Sequence, residues 1–273
     1  MKKIIVLTDF SECSSFALKA AASIAKANTA GILAIHMLEL NQALMTTAEG
    51  FQPEQSIYMI KLAEKRMKEF LDQPYLKDIE VTPIIKHYKV YSEVNLIAEE
   101  HDADFILMGS HGSGGMSEFF VGSNAEKVVR NSNIPVLVLK EELKDFKLER
   151  MVFACDFKEE SLAAFQKAKE FAALFQASLE PVFINVPGDD FLSTRDAYER
   201  INKFLSKANA AQQVEIYNDY SLEQGILNYG KSILADIIGI PTHGRKGLYH
   251  FLMGSLGEDI VNHATIPVIT FKI

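Results

Sequence analysis

Several things that would assign this chain to a class at once are scarce or missing. Cysteine occurs only at Cys13 and Cys155 in 273 residues. The two show no C-x-x-C spacing and no nearby cluster of metal-ligand residues, which argues against redox and metal roles and leaves buried or idle thiols. Cations are outnumbered, with 28 Lys and Arg against 36 Asp and Glu, for a formal charge of -8 and a pI near 5.4. A surface built to neutralise nucleic-acid phosphates needs clustered Lys and Arg, so no nucleic-acid partner is expected, although a local anion site stays open. Long apolar runs are absent at the start, where MKKIIVL holds only four strongly apolar residues before Thr8 and Asp9. That is too short for a signal-peptide core or a bilayer span, and the expectation is a cytoplasmic protein with no membrane partner. The familiar catalytic signatures are missing too. No H-E-x-x-H, Walker G-x-x-x-x-G-K-[ST] or G-x-S-x-G is present, the GSGG at 112–115 is not a dinucleotide fingerprint, and acid/base catalysis has no candidate.

What is present is an apolar content of 48% and a pattern of short buried runs. Ile4 to Leu7, Phe105 to Met108, Val136 to Leu139, Ile237 to Ile240 and Pro267 to Ile269 are continuous and bounded by polar or turn residues. Runs of this length suit strands covered on both faces. Between them, Ala17, Ala20, Ala21, Ile24 and Ala25, or Val121, Ala125, Val128, Val129 and Ser132, recur at helical spacing. Alternating strands and helices predict an α/β fold with open parallel sheets and helices on both faces.

The order is written twice. TDFSE at 8–12 is answered by CDFKE at 155–159, and each half closes on IPV, at 134–136 and 266–268. GSHGSGGMSEFFVGS at 109–123 and PTHGRKGLYHFLMGS at 241–255 agree at 6 of 15 positions. Two copies of one five-stranded domain are expected, over residues 1–143 and 144–273, with the charged stretch KEELKDFKLER at 140–150 as the connection.

The repeated stretch suggests chemistry. In the first copy Gly109, Gly112 and the pair Gly122-Ser123 follow a strand and lead into a helix. Glycines allow positive φ and close approach of a ligand, while free N–H groups at a helix N-terminus make an anion cradle. A plain strand-to-helix turn is the alternative. Asp9, at the carboxyl edge of the first strand, could accept from a ribose hydroxyl or an adenine amine, sit by Mg²⁺, or cap the following helix. Met37 could flank a base or belong to the core. His111 and His243 read as structural.

Taken together, TDFSECSSFALKAAASIA, the G-x2-G-x9-G-[ST] loop and NIPVLVL resemble the universal stress protein family in its tandem form, over nearly the whole chain. The resemblance implies a Rossmann-like or flavodoxin-like five-stranded parallel layer in each copy, with domains paired through their last strands, here within one chain, and homodimers a further arrangement. It also implies binding of ATP or a related adenine nucleotide, with or without Mg²⁺. In the first copy Thr8 and Asp9 would lie by the nucleoside, Met37 and Met108 by the base, and Gly109, Gly112, Gly122 and Ser123 by the phosphates. In the second, Asp156 falls at the strand edge, Val186 at the base position, and Gly244, Gly254 and Ser255 keep the loop. Pro241 departs from the pattern, because proline has a fixed φ and no N–H, and Arg245 and Lys246 replace neutral residues. The reading is a stress-linked nucleotide-binding or signalling module with its stronger site in the first copy. Two alternatives stay open: a slow ATP-hydrolysing or phosphate-transferring enzyme, and a nucleotide-free partner-binding scaffold.

Overall fold

A computed structural model describes residues 1–38, 53–87, 90–110, 123–143, 146–188, 190–242 and 264–273. The chain divides into two compact units, Met1–Met116 with Leu139–Phe146, and Ser117–Val138 with Lys147–Ile273.

The first unit runs β1 (Lys3–Leu7), α1 (Glu12–Asn28), β2 (Gly31–Leu38), α2 (Pro53–Leu71), β3 (Val81–His87), α3 (Val90–Glu100) and β4 (Ala103–Gly109). Its strands lie in the order β3-β2-β1-β4, and the β1–β2, β1–β4 and β2–β3 pairs are parallel. Ile4, Ile5 and Val6 of β1 are fully buried, as a central strand covered on both faces requires. Helix α1 begins where Ser11 accepts a hydrogen bond from the Ser14 N–H, and it ends at Thr29, whose φ is 52°. The buried stripe of α1 is rich in alanine, which lets the helix lie close to the sheet.

The second unit contains α4 (Ser123–Asn131), β5 (Val136–Leu139), β6 (Arg150–Ala154), α5 (Leu162–Leu174), β7 (Ser178–Asn185), α6 (Thr194–Lys207), β8 (Glu215–Asn218), α7 (Leu222–Ser232), β9 (Ile237–Thr242) and β10 (Val268–Lys272). Its strands follow the order β5-β10-β9-β6-β7-β8. All pairs from β10 to β8 are parallel, whereas β5 runs antiparallel to β10, with Val138 opposite Val268 and Val136 opposite Thr270. By this division the closing helix of the first sequence repeat and all but the last residue of its closing strand fall in the second unit. Lys272 Nζ and Lys167 Nζ both donate to Asn133, at the Oδ1 and the carbonyl respectively, and fasten the α4–β5 corner to β10 and α5.

Each sequence repeat fixes the start of its first strand with one device. Asp104 Oδ2 accepts from the Lys2 and Lys3 N–H groups at 2.6 and 3.1 Å, and Asp236 Oδ2 accepts from the Glu149 and Arg150 N–H groups at 2.8 and 2.9 Å. The helix before each of these aspartates ends on a left-handed residue, Asp102 with φ 49° and Leu234 with φ 54°. Leu234 stands where α7 closes with the Ala235 N–H on the Gly230 carbonyl, a position that favours glycine, and its side chain is 82% exposed. Leucine gains no packing there and carries the strain of a left-handed backbone. Leu234→Gly should therefore raise the free energy of unfolding by about 0.5–1 kcal/mol, seen as a higher urea midpoint at unchanged slope.

Candidate functional site

In an open α/β sheet, ligands are taken outside the carboxyl edge where the strand order reverses. In the first unit β2 and β3 lie to one side of β1 and β4 to the other, so the reversal falls between β1 and β4. Thr8 and Asp9 follow directly from β1, and Met108 and Gly109 close β4, which brings these four to one place. Met37 is half-buried on β2, opposite Lys86 of β3. Ser123 opens α4, in the second unit. Gly112, Gly122, Gly244, Gly254 and Ser255 lie outside the described residues, as do His111, His243, Arg245 and Lys246.

Around Thr8 the chain makes a tight, fully specified turn. The Thr8 N–H donates to the Ile35 carbonyl at 2.9 Å, extending the β1–β2 ladder by one bond. Thr8 Oγ1 accepts from the Phe10 N–H at 2.9 Å and shares a hydrogen bond with Ser14 Oγ at 3.0 Å. Asp9 Oδ1 accepts from the Ser11 N–H at 3.0 Å, so this carboxylate supports the entry to α1 while Ser11 itself caps the helix. Phe10 takes a left-handed conformation, φ 66°, that phenylalanine pays for with its ring: it stacks on His36 at 4.3 Å and meets Phe70 of α2 edge-on at 5.8 Å.

His36 Nδ1 lies 2.8 Å from the Thr8 carbonyl. A carbonyl only accepts, so Nδ1 carries the hydrogen and Nε2 of the neutral ring is an acceptor. Burial holds the His36 pKa below its ordinary value of 6.5; the Thr8 bond and the Asp9 charge oppose that shift, and the Arg66 guanidinium of α2 adds to it.

Gly109 has a different reason to be glycine from the positive φ expected of it. Among the described glycines only Gly188 has positive φ, and Gly109 is strand backbone. A Cβ built on Gly109 would lie 2.7 Å from the carbonyl carbon and Cβ of Cys13, in the first turn of α1. The end of β4 and the start of α1 touch backbone to side chain position, and only glycine leaves the room. The Ser110 N–H donates to the Leu139 carbonyl at 2.8 Å. By strand alternation the Gly109 N–H therefore faces the β1 side, past the last registered pair of Val6 and Leu107.

The second unit repeats the turn with altered chemistry. Phe157, φ 53°, meets Phe183 of β7 and Phe204 of α6 as Phe10 meets His36 and Phe70. Cys155 stands in the place of Thr8, with its N–H on the Val182 carbonyl at 3.3 Å and its thiol pKa pushed well up by burial. Asp156 is only 4% exposed. Its Oδ1 accepts from the Lys158 N–H and from Ser161 Oγ, both at 3.1 Å, and Lys158 Nζ lies 3.3 Å from Oδ2. The hydroxyl that serves Thr8 in one copy thus serves the aspartate in the other.

The register also moves the counterpart of Met37. Leu7 pairs with Ile35 and Ala154 with Val182, which makes Ile184 the equivalent of Met37 and leaves Val186 two residues on, past the end of β7. Ile184 is closely covered, since a Cβ on Gly225 of α7 would lie 2.4 Å from its Cγ2.

Pro241 fits its strand without loss. Ile238 donates to the Pro267 carbonyl on the β10 side, so the nitrogen of residue 241 faces β6, where the ladder has already ended at Phe153 and Gly239. Proline carries a Cβ, which closes the backbone approach seen at Gly109. The first turn here is a separate 3₁₀ turn, Glu159–Ser161, instead of the start of the α-helix.

The histidine, the phenylalanine and the α2 helix were not among the residues singled out from sequence. A signal for them exists in a second repeated phrase, A-x-x-R-x-x-x-F-L, at 63–71 and 197–205.

The family description "Universal stress protein family" matches the chain twice, over residues 1–140 and 147–272. Universal stress protein MJ0577 of Methanocaldococcus jannaschii is 31% identical over 158 residues, covering 51% of this chain and 94% of that protein. Universal stress protein MJ0531 of the same organism is 31% identical over 151 residues, covering 53% of this chain and 85% of its own length. A crystal structure of a universal stress protein from Archaeoglobus fulgidus DSM 4304 matches at a TM-score of 0.72 and 21% identity, covering 99% of this chain and 98% of the other, which is a likeness of fold.

Two outcomes follow from the geometry. Gly109→Ala should cost about 1–3 kcal/mol of stability, because the methyl group meets the Cys13 backbone, which cannot turn aside; a urea midpoint equal to wild type would refute the close approach. For His36 the folded pKa is the lower one, so its contribution is complete above about 6.5 and is lost as pH falls through the folded value. His36→Phe, which copies Phe183, should flatten the loss of stability between about pH 7.5 and 5 relative to wild type.

Proposed function

Because the chain belongs to the universal stress protein family in both of its repeats, we propose that it is a cytoplasmic stress-response protein that binds ATP or a related adenine nucleotide as a binding or signalling module, with the stronger site in the first repeat. The observation that carries this reading is the meeting of Thr8, Asp9, Met108 and Gly109 at the strand-order reversal of the first unit, in a chain whose next residues continue the G-x2-G-x9-G-[ST] phrase. The residues suit the nucleoside end of such a ligand. A carboxylate accepts from an amine or hydroxyl, and a half-buried thioether offers a polarisable surface to a base. On this reading the loop glycines would offer N–H donors to the phosphates.

Inequality of the two repeats is supported by the second unit itself. Its aspartate is buried and engaged by Ser161 and Lys158, its threonine position is a buried cysteine, and its counterpart of Met37 lies under α7. Each of these groups is committed to the fold, where a ligand would need it turned outward.

Titration of ATP into the intact protein, with and without Mg²⁺, should give one dominant site per chain. Gly112→Val should weaken that site about tenfold or more while the circular dichroism spectrum stays native, since a branched side chain blocks close approach and resists positive φ. Gly112 is the better position for this test than Gly109, where added atoms strike Cys13 whether or not a ligand is bound. Two equal sites, or full affinity in the folded variant, would overturn the reading.

A further inference from the structure

In the phrase A-x-x-R-x-x-x-F-L packing accounts for the alanine and the phenylalanine and leaves the arginine without a reason. Ala63 and Ala197 are buried, as are Met67 and Ile201 one turn on, and Phe70 and Phe204 meet the left-handed phenylalanine of their own unit. The exposed positions between them have drifted freely: Lys65 is matched by Glu199 and Glu69 by Lys203, both with reversal of charge. Arg66 and Arg200 are identical although nothing in the core requires them. A solvated helix face would accept Lys or Glu there as readily as at the neighbouring positions.

Position supplies the reason. Helix α2 joins the carboxyl end of β2 to the amino end of the parallel strand β3, so it runs down the sheet from the carboxyl edge. Phe70 is level with Phe10 and His36, at the end of β1 and β2. Arg66, one turn earlier on the same helix, stands about 6 Å farther out in the direction in which β1 and β2 end. It is exposed and makes no ion pair with a carboxylate among the described residues. Its charge is felt at His36 together with that of Asp9, so a guanidinium and a carboxylate flank one ring at the mouth of β1 and β2.

On the reading that this edge takes an adenine nucleotide, we infer that Arg66 is a further ligand-binding residue that recognises the base end, donating from its planar fork to the ring-nitrogen acceptors of the purine. β2 lies two strand spacings, about 10 Å, from β4, which is beyond the span of one guanidinium, so a ligand whose phosphates sit past the end of β4 would keep them apart from Arg66. Arginine suits the role because its donors are coplanar and its charge is permanent, whereas lysine offers a single rotating point.

The test compares ATP, adenosine and inorganic triphosphate on wild type, Arg66→Ala, Arg66→Met and Arg66→Lys by calorimetric titration. Arg66→Ala should weaken ATP and adenosine by the same factor, about tenfold or more, and leave triphosphate unchanged. Arg66→Met keeps the apolar stem over the helix and should reproduce that loss if Arg66→Ala proves poorly folded. Arg66→Lys should recover only part of it, and Arg200→Ala should leave the dominant site as it was. Equal affinities in wild type and Arg66→Met, or a loss for ATP with none for adenosine, would overturn the inference while leaving the nucleotide reading intact. Wild type that binds neither ATP nor adenosine would overturn both.

Discussion

In each sequence repeat the path from first strand to first helix is set by one local contest. A left-handed backbone is unfavourable for phenylalanine, yet Phe10 and Phe157 both adopt it. The aspartate just before each one accepts the N–H two residues on, which holds the turn, and the aromatic ring is delivered to a pocket between the second strand and the second helix. Without that turn the first helix would neither begin where it does nor face the sheet as it does. Everything at the carboxyl edge of β1, Thr8 and Asp9 included, inherits its position from this arrangement.

The two repeats share the turn and spend its polar groups differently. In the first, Ser14 binds Thr8 and Asp9 remains half-buried at the edge; in the second, Ser161 binds Asp156, and Lys158 covers the other oxygen. The change from Gly109 to Pro241 belongs to the same divergence. Glycine admits the backbone of Cys13 against the end of β4, and the α-helix begins at once; proline fills that space, and a 3₁₀ turn comes first. Glycine and proline here report how closely a helix may approach a strand.

The parts of this fold most visible in sequence were those buried on both sides. Ile4 to Leu7, Phe105 to Met108, Val136 to Leu139 and Ile237 to Ile240 all fall within strands, because two covered faces leave a continuous apolar run. The edge strands β3 and β8 carry no such run, being half-exposed, and Pro83 and Glu215 disguise them further. At the candidate site, Thr8 and Asp9 were legible as a strand end, but the left-handed Phe10 and its contact with His36 were not, since backbone sign has no letter of its own outside glycine. Spacing singled out Gly109 for a positive φ, whereas its backbone is extended and the room it leaves is taken by Cys13. Val186 shows the limit of counting along a strand: the hydrogen-bond ladder fixes Ile184 as the counterpart of Met37, and one apolar letter looks like another until that ladder is known.

Strand β5 has a consequence for synthesis. Its antiparallel partner β10 is the last strand of the chain, so the stretch Val136–Leu139 leaves the ribosome about 130 residues before the strand it will bind. At ~5–20 residues per second that interval is on the order of ten seconds. Throughout it, four consecutive buried-type residues, VLVL, present an edge with no β10 to cover it. The nascent chain is most exposed to wrong pairing with its neighbours on a polysome in that window, which closes only once Val268–Lys272 has emerged to cover the edge.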